Sequence, residues 1–271
     1  MSGTADYVQE IFQEAVSSGL DFQTLAKETA KNMKLATKFR FKGGKQDILE
    51  ISKEMVRMRV NMDSIAGFAE KVFRPEGAIE AAAQLQVLGG EMARLGDPFM
   101  LMSKARNDVA GFTKEVLKAT KFTGMWNAET QMFDLTANEL DRLRELSKIT
   151  GQSFEDLTTQ ARQQIRFDQI GGEIAATNFS KEDKEMIQNM AVMGENGKFQ
   201  MNVALKGEVP KMIDISKVSP AQIKALKDQK TTLEEQARLA LTFQERFDMF
   251  IQQLQVTLLP TLDYFGKVLT K

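Results

Sequence analysis

From Thr231 to Lys271 the chain repeats its apolar residues at alternating steps of four and three: Leu233, Ala237, Ala240, Gln244, Phe247, Ile251, Leu254, Leu258, Thr261, Phe265 and Val268. That spacing keeps one edge of an α-helix continuously apolar, and such an edge demands a partner helix. Ala237, Gln244, Ile251, Leu258 and Phe265 take the a positions and the others the d positions. Thr231-Thr232-Leu233-Glu234 has the form of a capping box, which predicts that this helix starts there. Unbroken, it would span about 60 Å at 1.5 Å per residue. A single domain rarely offers a core of that length, so the expectation is a seam that meets copies of itself. Phe247 and Phe265 are bulky for two strands and point to a trimer or higher. Gln244 at an a position can bond across a symmetry axis and fix register. Pro260 predicts a kink near Leu258, because it removes one ladder bond and crowds the preceding turn. The plainer alternative is an amphipathic helix folded onto its own chain.

The rest of the chain is punctuated for helices. Only 18 glycines and 5 prolines interrupt 271 residues. The spacing predicts a first helix from about Thr4 to Ser18, closed at Gly19. Asp21 caps a second that carries Phe22, Leu25, Ala26 and Met33 on one face. Ile48, Ile51, Met55 and Met58 mark a third, and Asp63 caps a fourth through Phe73. Pro75 and Asp97-Pro98 open two more, the first ending at Gly89-Gly90; Ser153 and Ser180 start others.

Composition narrows the chemistry. Cysteine and histidine are both absent. Disulfides, thiolate or imidazole metal sites and Ser-His-Asp catalysis are therefore excluded, and no cofactor or metal is expected. Lysine plus arginine is 36 against 37 acids, so no global field draws nucleic acid or anionic lipid. No run approaches the roughly 18 apolar residues of a membrane span, and the start lacks a secretory pattern. The sequence thus reads as a soluble, non-enzymatic protein. The 16 methionines suit helix interfaces that tolerate imperfect packing.

Local charge is less even. Lys27, Lys31, Lys34, Lys38 and Lys42 recur at helical spacing, joined by Arg40 and Lys45, with Glu28 the only acid among them. Phe39 and Phe41 interleave. A basic stripe with aromatics can hold phosphates, as in a nucleic-acid groove. It is also what a face meeting an acidic protein surface looks like, or a solvated helix face. Gly43-Gly44 ends the segment in a turn.

In the middle a unit occurs twice. Phe133-Asp134-Leu135 leads into the capping box Thr136-Ala137-Asn138-Glu139, and Ile213-Asp214-Ile215 leads into Ser219-Pro220-Ala221-Gln222. Each follows a turn-rich stretch, near Trp126 and near Asn196-Gly197. The second is expected to be a type I′ hairpin, with Phe199, Met201 and Val203 alternating after it. Paired acids have plain explanations: Glu155-Asp156 and Glu182-Asp183 fall in first helical turns, and Glu76 and Glu80 lie in a surface setting. The fold expected is all-α, an elongated multi-helix array with one or two small β-hairpins and a C-terminal coiled-coil-like helix. Its regions are 1–120 with the basic stripe, 121–230 with the two hairpin-plus-helix units, and 231–271 for oligomerisation.

One resemblance adds to this. Gly43-Gly44-Lys45 through Ile48, Ile51 and Met55, then Phe73 to Ala83, Leu88-Gly89-Gly90 and Lys104-Ala105-Arg106-Asn107-Asp108, resemble phage tail tape-measure proteins in style and order. So does the helix Leu140-Asp141-Arg142-Leu143-Arg144-Glu145-Leu146-Ser147-Lys148-Ile149-Thr150-Gly151. The likeness covers roughly 43–167 and rests on no catalytic motif. It implies a virion structural protein, assembled in the host cytoplasm, that occupies the tail-tube lumen in several copies and sets tail length. Such a protein leaves before the genome and contacts tail-tube and tail-tip hub proteins. Tape measures are usually far longer, and many carry an apolar membrane-active segment that this chain lacks; it corresponds to a C-terminal region or a short relative. Two other functions compete: a nucleic-acid-binding protein using the Lys27–Lys45 stripe, and a tail-associated peptidoglycan hydrolase.

Overall fold

The computed structural model describes residues 2–119, 122–203 and 209–239, with side chains described for 6–119, 122–203 and 209–232. The order is α1 (Ser2–Ser18), α2 (Phe22–Leu35), α3 (Lys45–Met58), α4 (Met62–Val72), α5 (Pro75–Leu88), α6 (Gly90–Ala93), α7 (Pro98–Asn107), α8 (Val109–Ala119), β1 (Met125–Asn127), β2 (Met132–Asp134), α9 (Ala137–Thr150), α10 (Phe154–Glu173), α11 (Lys181–Met190), β3 (Val192–Met193), β4 (Phe199–Val203), β5 (Lys211–Asp214), a 3₁₀ turn (Ile215–Lys217) and α12 (Pro220–Leu239). The protein is mostly helical with two small sheets among the described residues. No described helix is long and apolar enough to cross a membrane.

Short polar side chains set the helix boundaries. Asp21 accepts from the Thr24 amide at 2.7 Å, Asp97 from the Phe99 and Met100 amides, and Ser153 and Ser180 from the amides of Asp156 and Asp183. Each satisfies a donor that the first helical turn leaves without a partner. The cap of α4 is Asn61, whose side chain accepts from the Asp63 amide, so Asp63 sits inside the first turn and not at the cap. Gly19, at φ 75, ends α1: its amide reaches Val16 O, and the next amide, of Leu20, reaches Ala15 O at 2.9 Å. Only a residue without Cβ adopts that left-handed step cheaply.

Both hairpin-plus-helix units form. β1 pairs antiparallel with β2, Trp126 opposite Phe133, and α9 follows with the Thr136–Glu139 capping box complete. β4 pairs with β3 and β5, and Ser219 and Gln222 then bond reciprocally at the start of α12. Phe199, Met201 and Val203 all face the core, as their alternation requires. The turn between β3 and β4 is not type I′. Gly197 has φ 71 but Asn196 does not enter the left-handed region, and the Gly197 amide bonds Gly194 O at 3.0 Å. This is a type I turn followed by a left-handed glycine, in a three-residue loop.

Two expectations need correction. An elongated array would pack each helix against its chain neighbours; here α1 packs on α11 and α12 as well as on α2, and α10 packs on α3. The Asn189 side chain donates to Ser18 O at 2.6 Å across a separation of 171 residues, so the chain folds back on itself. The capping box at Thr231 also does not form. α12 runs continuously from Pro220 to Leu239, and Thr231 and Thr232 donate to the carbonyls of Lys227 and Asp228 one turn back. That is how a hydroxyl behaves inside a helix, where no free amide is left for it to cap.

The core is a single cluster in which α4 and α8 contribute Phe68 and Phe112, their ring centroids 5.4 Å apart. Thr136→Ala should cost about 1 kcal/mol by urea unfolding, the typical value of an N-cap. Thr231→Ala should cost nothing or add a few tenths of a kcal/mol, because alanine is the better interior residue. Equal losses at both positions would mean that Thr231 is a cap after all.

Candidate functional site

The basic stripe divides once folded. α2 ends at Leu35, where the Thr37 hydroxyl takes Lys34 O and the Phe39 amide takes Leu35 O, so the helical row stops with Lys34. Lys27 and Lys34 are exposed on α2. Lys31 lies 2.9 Å from Asp63 and donates to Asn61 at 2.6 Å, which ties α2 to the start of α4. Lys38, in the turn that follows, is 3.6 Å from Glu70. Arg40 and Lys42 are exposed on the connection to α3, with Arg40 O accepting from the Val109 amide. Lys45 turns to α1: its ammonium lies 5.5 Å from the Tyr7 ring centroid, and Tyr7 donates to its carbonyl. Phe39 and Phe41, which punctuate this segment, are 5% and 9% exposed and belong to the core.

Glu28 stands among these lysines with one buried carboxylate oxygen unbonded. Burial raises its pKa above the usual carboxylate value and nearby Asp63 adds to the rise, against Lys31 and an Asn32 hydrogen bond that lower it. A raised carboxylate favours the folded state below its unfolded pKa and loses that advantage as pH climbs through the folded value.

The strongest polar assembly was not legible in the sequence. Lys53 of α3 pairs with Glu14 of α1 at 2.7 Å and Glu185 of α11 at 3.0 Å. One turn on, Arg57 bonds Glu54 at 2.9 Å, Asn189 at 3.1 Å and Gln188 at 3.3 Å, with its guanidinium 4.9 Å from the Phe167 ring centroid on α10. Three helices distant in sequence thus share one charged junction. It borders a cavity of about 390 Å³ lined by Arg57, Phe179, Lys181, Lys184, Glu185 and Gln188. No local motif announces this, since bonded partners within it are up to 132 positions apart.

A second cleft, about 640 Å³, lies beside the β1–β2 hairpin and includes Glu91, Glu139, Arg142 and Asp168. Glu139 is occupied in the capping box of α9, where it accepts from the Thr136 amide, and also accepts from Thr123. Arg142 donates to Leu88 O at 2.9 Å and Gly89 O at 2.8 Å, capping the C-terminal end of α5. The Gly89-Gly90 turn and the helix α9 therefore meet here, and the contact is a structural one. The acid pairs Glu155-Asp156 and Glu182-Asp183 sit in the first turns of α10 and α11. Among the described residues no three acids gather as metal ligands would. Of the terminal seam, Leu233 and Ala237 fall on the backbone of α12; Ala240, Gln244, Phe247, Ile251, Leu254, Leu258 and Phe265 lie outside the described residues.

Replacing Lys53 by methionine leaves Glu14 and Glu185 facing each other in a partly buried site. The expected loss is about 2–4 kcal/mol, below the figure for a fully buried pair because Glu14 is one-third exposed. Burial alone would lower the Lys53 pKa; the hydrogen bond to Glu14 and the charge of Glu185 outweigh it and hold the value above 10.5. Because the folded value is the higher one, this stabilisation is complete below pH 10.5 and fades as pH rises through the folded pKa. A Lys53→Met protein as stable as the parent at pH 7 in urea would show the junction to be energetically idle. No family model, curated protein or solved structure matches this chain.

Proposed function

We propose that the chain is a structural protein of a phage tail, of the tape-measure kind, which works by assembling with itself and with protein neighbours and does no chemistry of its own. The observation that carries this reading is the make-up of the basic segment. Lys27, Lys34, Arg40 and Lys42 present charge at the surface, while Phe39 and Phe41 are turned into the core. A groove for single-stranded nucleic acid needs exposed rings on which bases stack. Charge without such rings suits an acidic protein surface, as a tail-tube or hub protein could supply. The sequence order from 43 to 167 supports the tail assignment, and the four-three seam supports self-assembly as a trimer or higher through a coiled-coil-like helix.

The test is localisation and partner together. Immunogold labelling of purified virions should place the chain in the tail; label confined to the unassembled fraction would rule the tail role out. Lys27, Lys34 and Lys42 changed together to glutamine should alter stability by less than about 0.5 kcal/mol, as for other exposed charges, yet weaken incorporation into tails. Binding to DNA with a steep salt dependence, abolished by the same triple change, would favour the nucleic-acid reading instead.

A further inference from the structure

Three asparagines turn their side chains forward along the chain in the same way. Asn61 Oδ1 accepts from the Asp63 amide at 3.0 Å, Asn127 Oδ1 from the Glu129 amide at 2.9 Å, and Asn196 Oδ1 from the Lys198 amide at 3.1 Å. To reach an amide two positions on, the carboxamide must lie alongside the peptide between, which sets its carbon beside the next residue's nitrogen. Those next residues are Met62, Ala128 and Gly197, and Asn196-Gly197 is the single Asn-Gly step in the sequence. It lies at the tip of the β3–β4 hairpin, where 195–198 are all exposed. A Cβ on Gly197 would meet nothing within 4 Å among the described residues.

We infer that Asn196 is a site of spontaneous modification in the folded chain, its carboxamide converted to aspartate and isoaspartate through attack by the Gly197 amide nitrogen. The nitrogen gives its proton to hydroxide and bonds to Asn196 Cγ. The carboxamide C–N bond then breaks, and the leaving nitrogen takes a proton from water and departs as ammonia, which leaves a five-membered imide. One water opens the imide at either of its two carbonyls, giving aspartate or isoaspartate; nothing is oxidised or reduced. Two features of the turn favour the step. The Lys198 amide already bonds the oxygen that becomes negative as the nitrogen attacks, which is where a fixed donor helps most. Glycine adds no side chain to crowd the closing ring and leaves the neighbouring torsions free, as methionine and alanine do not. The Gly197 amide must first leave Gly194 O, 3.0 Å away, and this exposed bond beside a two-residue strand opens locally without the core. The product carries one more negative charge beside Glu195. In its isoaspartate form it also has one more backbone atom, in a loop that the Gly194 amide and the Lys198 carbonyl close at 2.9 Å. None of this rests on the tail reading.

The test incubates the full folded chain in mildly alkaline buffer, then digests it at lysine beside an unincubated control; fragmentation of the peptide 185–198 locates the change. Asn196 should convert about tenfold faster than Asn61 and Asn127, which share its side-chain placement and differ in the residue that follows. Aspartate and isoaspartate should both appear, the latter read by enzymatic methylation, because an imide has two carbonyls to open. Asn196→Gln, whose longer side chain would have to close a six-membered ring, should leave this position unconverted over the same period. Thr136→Ala weakens the fold elsewhere and should leave the rate unchanged, whereas a reaction that needs global unfolding would speed up about fivefold. Conversion no faster than at Asn127 overturns the inference, and so does aspartate without isoaspartate. Equal conversion in Asn196→Gln, or the fivefold gain in Thr136→Ala, overturns it as well.

Discussion

Lys53 has to serve two carboxylates from helices that the chain makes far apart, Glu14 on α1 and Glu185 on α11. That meeting ties α1, α3 and α11 together at one point. Around it Arg57 gathers Glu54, Gln188 and Asn189, and Asn189 donates onward to the last carbonyl region of α1 at Ser18. Apolar burial supplies the bulk of the stability, since α1, α3, α10 and α11 all contribute to one core. Burial is indifferent to which helix covers which; matched charges at fixed positions are not. The junction selects one docking of α11 on α1 and α3 among several that would hide Ile187 and Met186 equally well.

A second constraint acts at helix ends. Where α5 stops, Gly89 and Gly90 both take positive φ, and Arg142 of α9 bonds the carbonyls of Leu88 and Gly89. A Cβ at Gly90 would lie 2.5 Å from the guanidinium. The glycine pair is therefore needed twice: for the turn and for the space the arginine occupies. Through this contact the middle of the chain is keyed to the N-terminal helices, which explains how segments some fifty residues apart can share one corner.

Local structure was legible because its causes are local. Asp21, Asp97, Thr136, Ser153 and Ser180 each announce a helix start with a side chain that satisfies an amide two or three positions on. The alternation of Phe199, Met201 and Val203 likewise needed no distant partner. Thr231 misled because a threonine before a glutamate has the same spelling at a cap and inside a helix; what differs is whether residues before it, here Pro220 to Lys230, are already helical. The basic row misled in the same way: lysines at helical spacing continue to Lys42, but the backbone leaves the helix at Leu35 as Phe39 and Phe41 turn inward. The Lys53 junction and the Arg142 clamp were invisible because each joins residues whose nearness exists only after folding.

The continuity of α12 has a geometric consequence. Ile223 and Leu226 anchor its first turns in the body, and the same unbroken helix carries the backbone past Thr231 to Leu239. A helix advances about 100° per residue, so azimuth along it is a matter of counting. The body and the beginning of the four-three pattern are thus in fixed rotational phase, like two gears on one shaft. One residue inserted after Thr232 would turn the rest of α12, as far as Leu239, by about 100°, while seven would return it to within about 20° of its original bearing. The number of residues between Leu226 and position 233 therefore fixes the bearing of the last described turns of α12 relative to the body, whatever the identity of the residues that fill it.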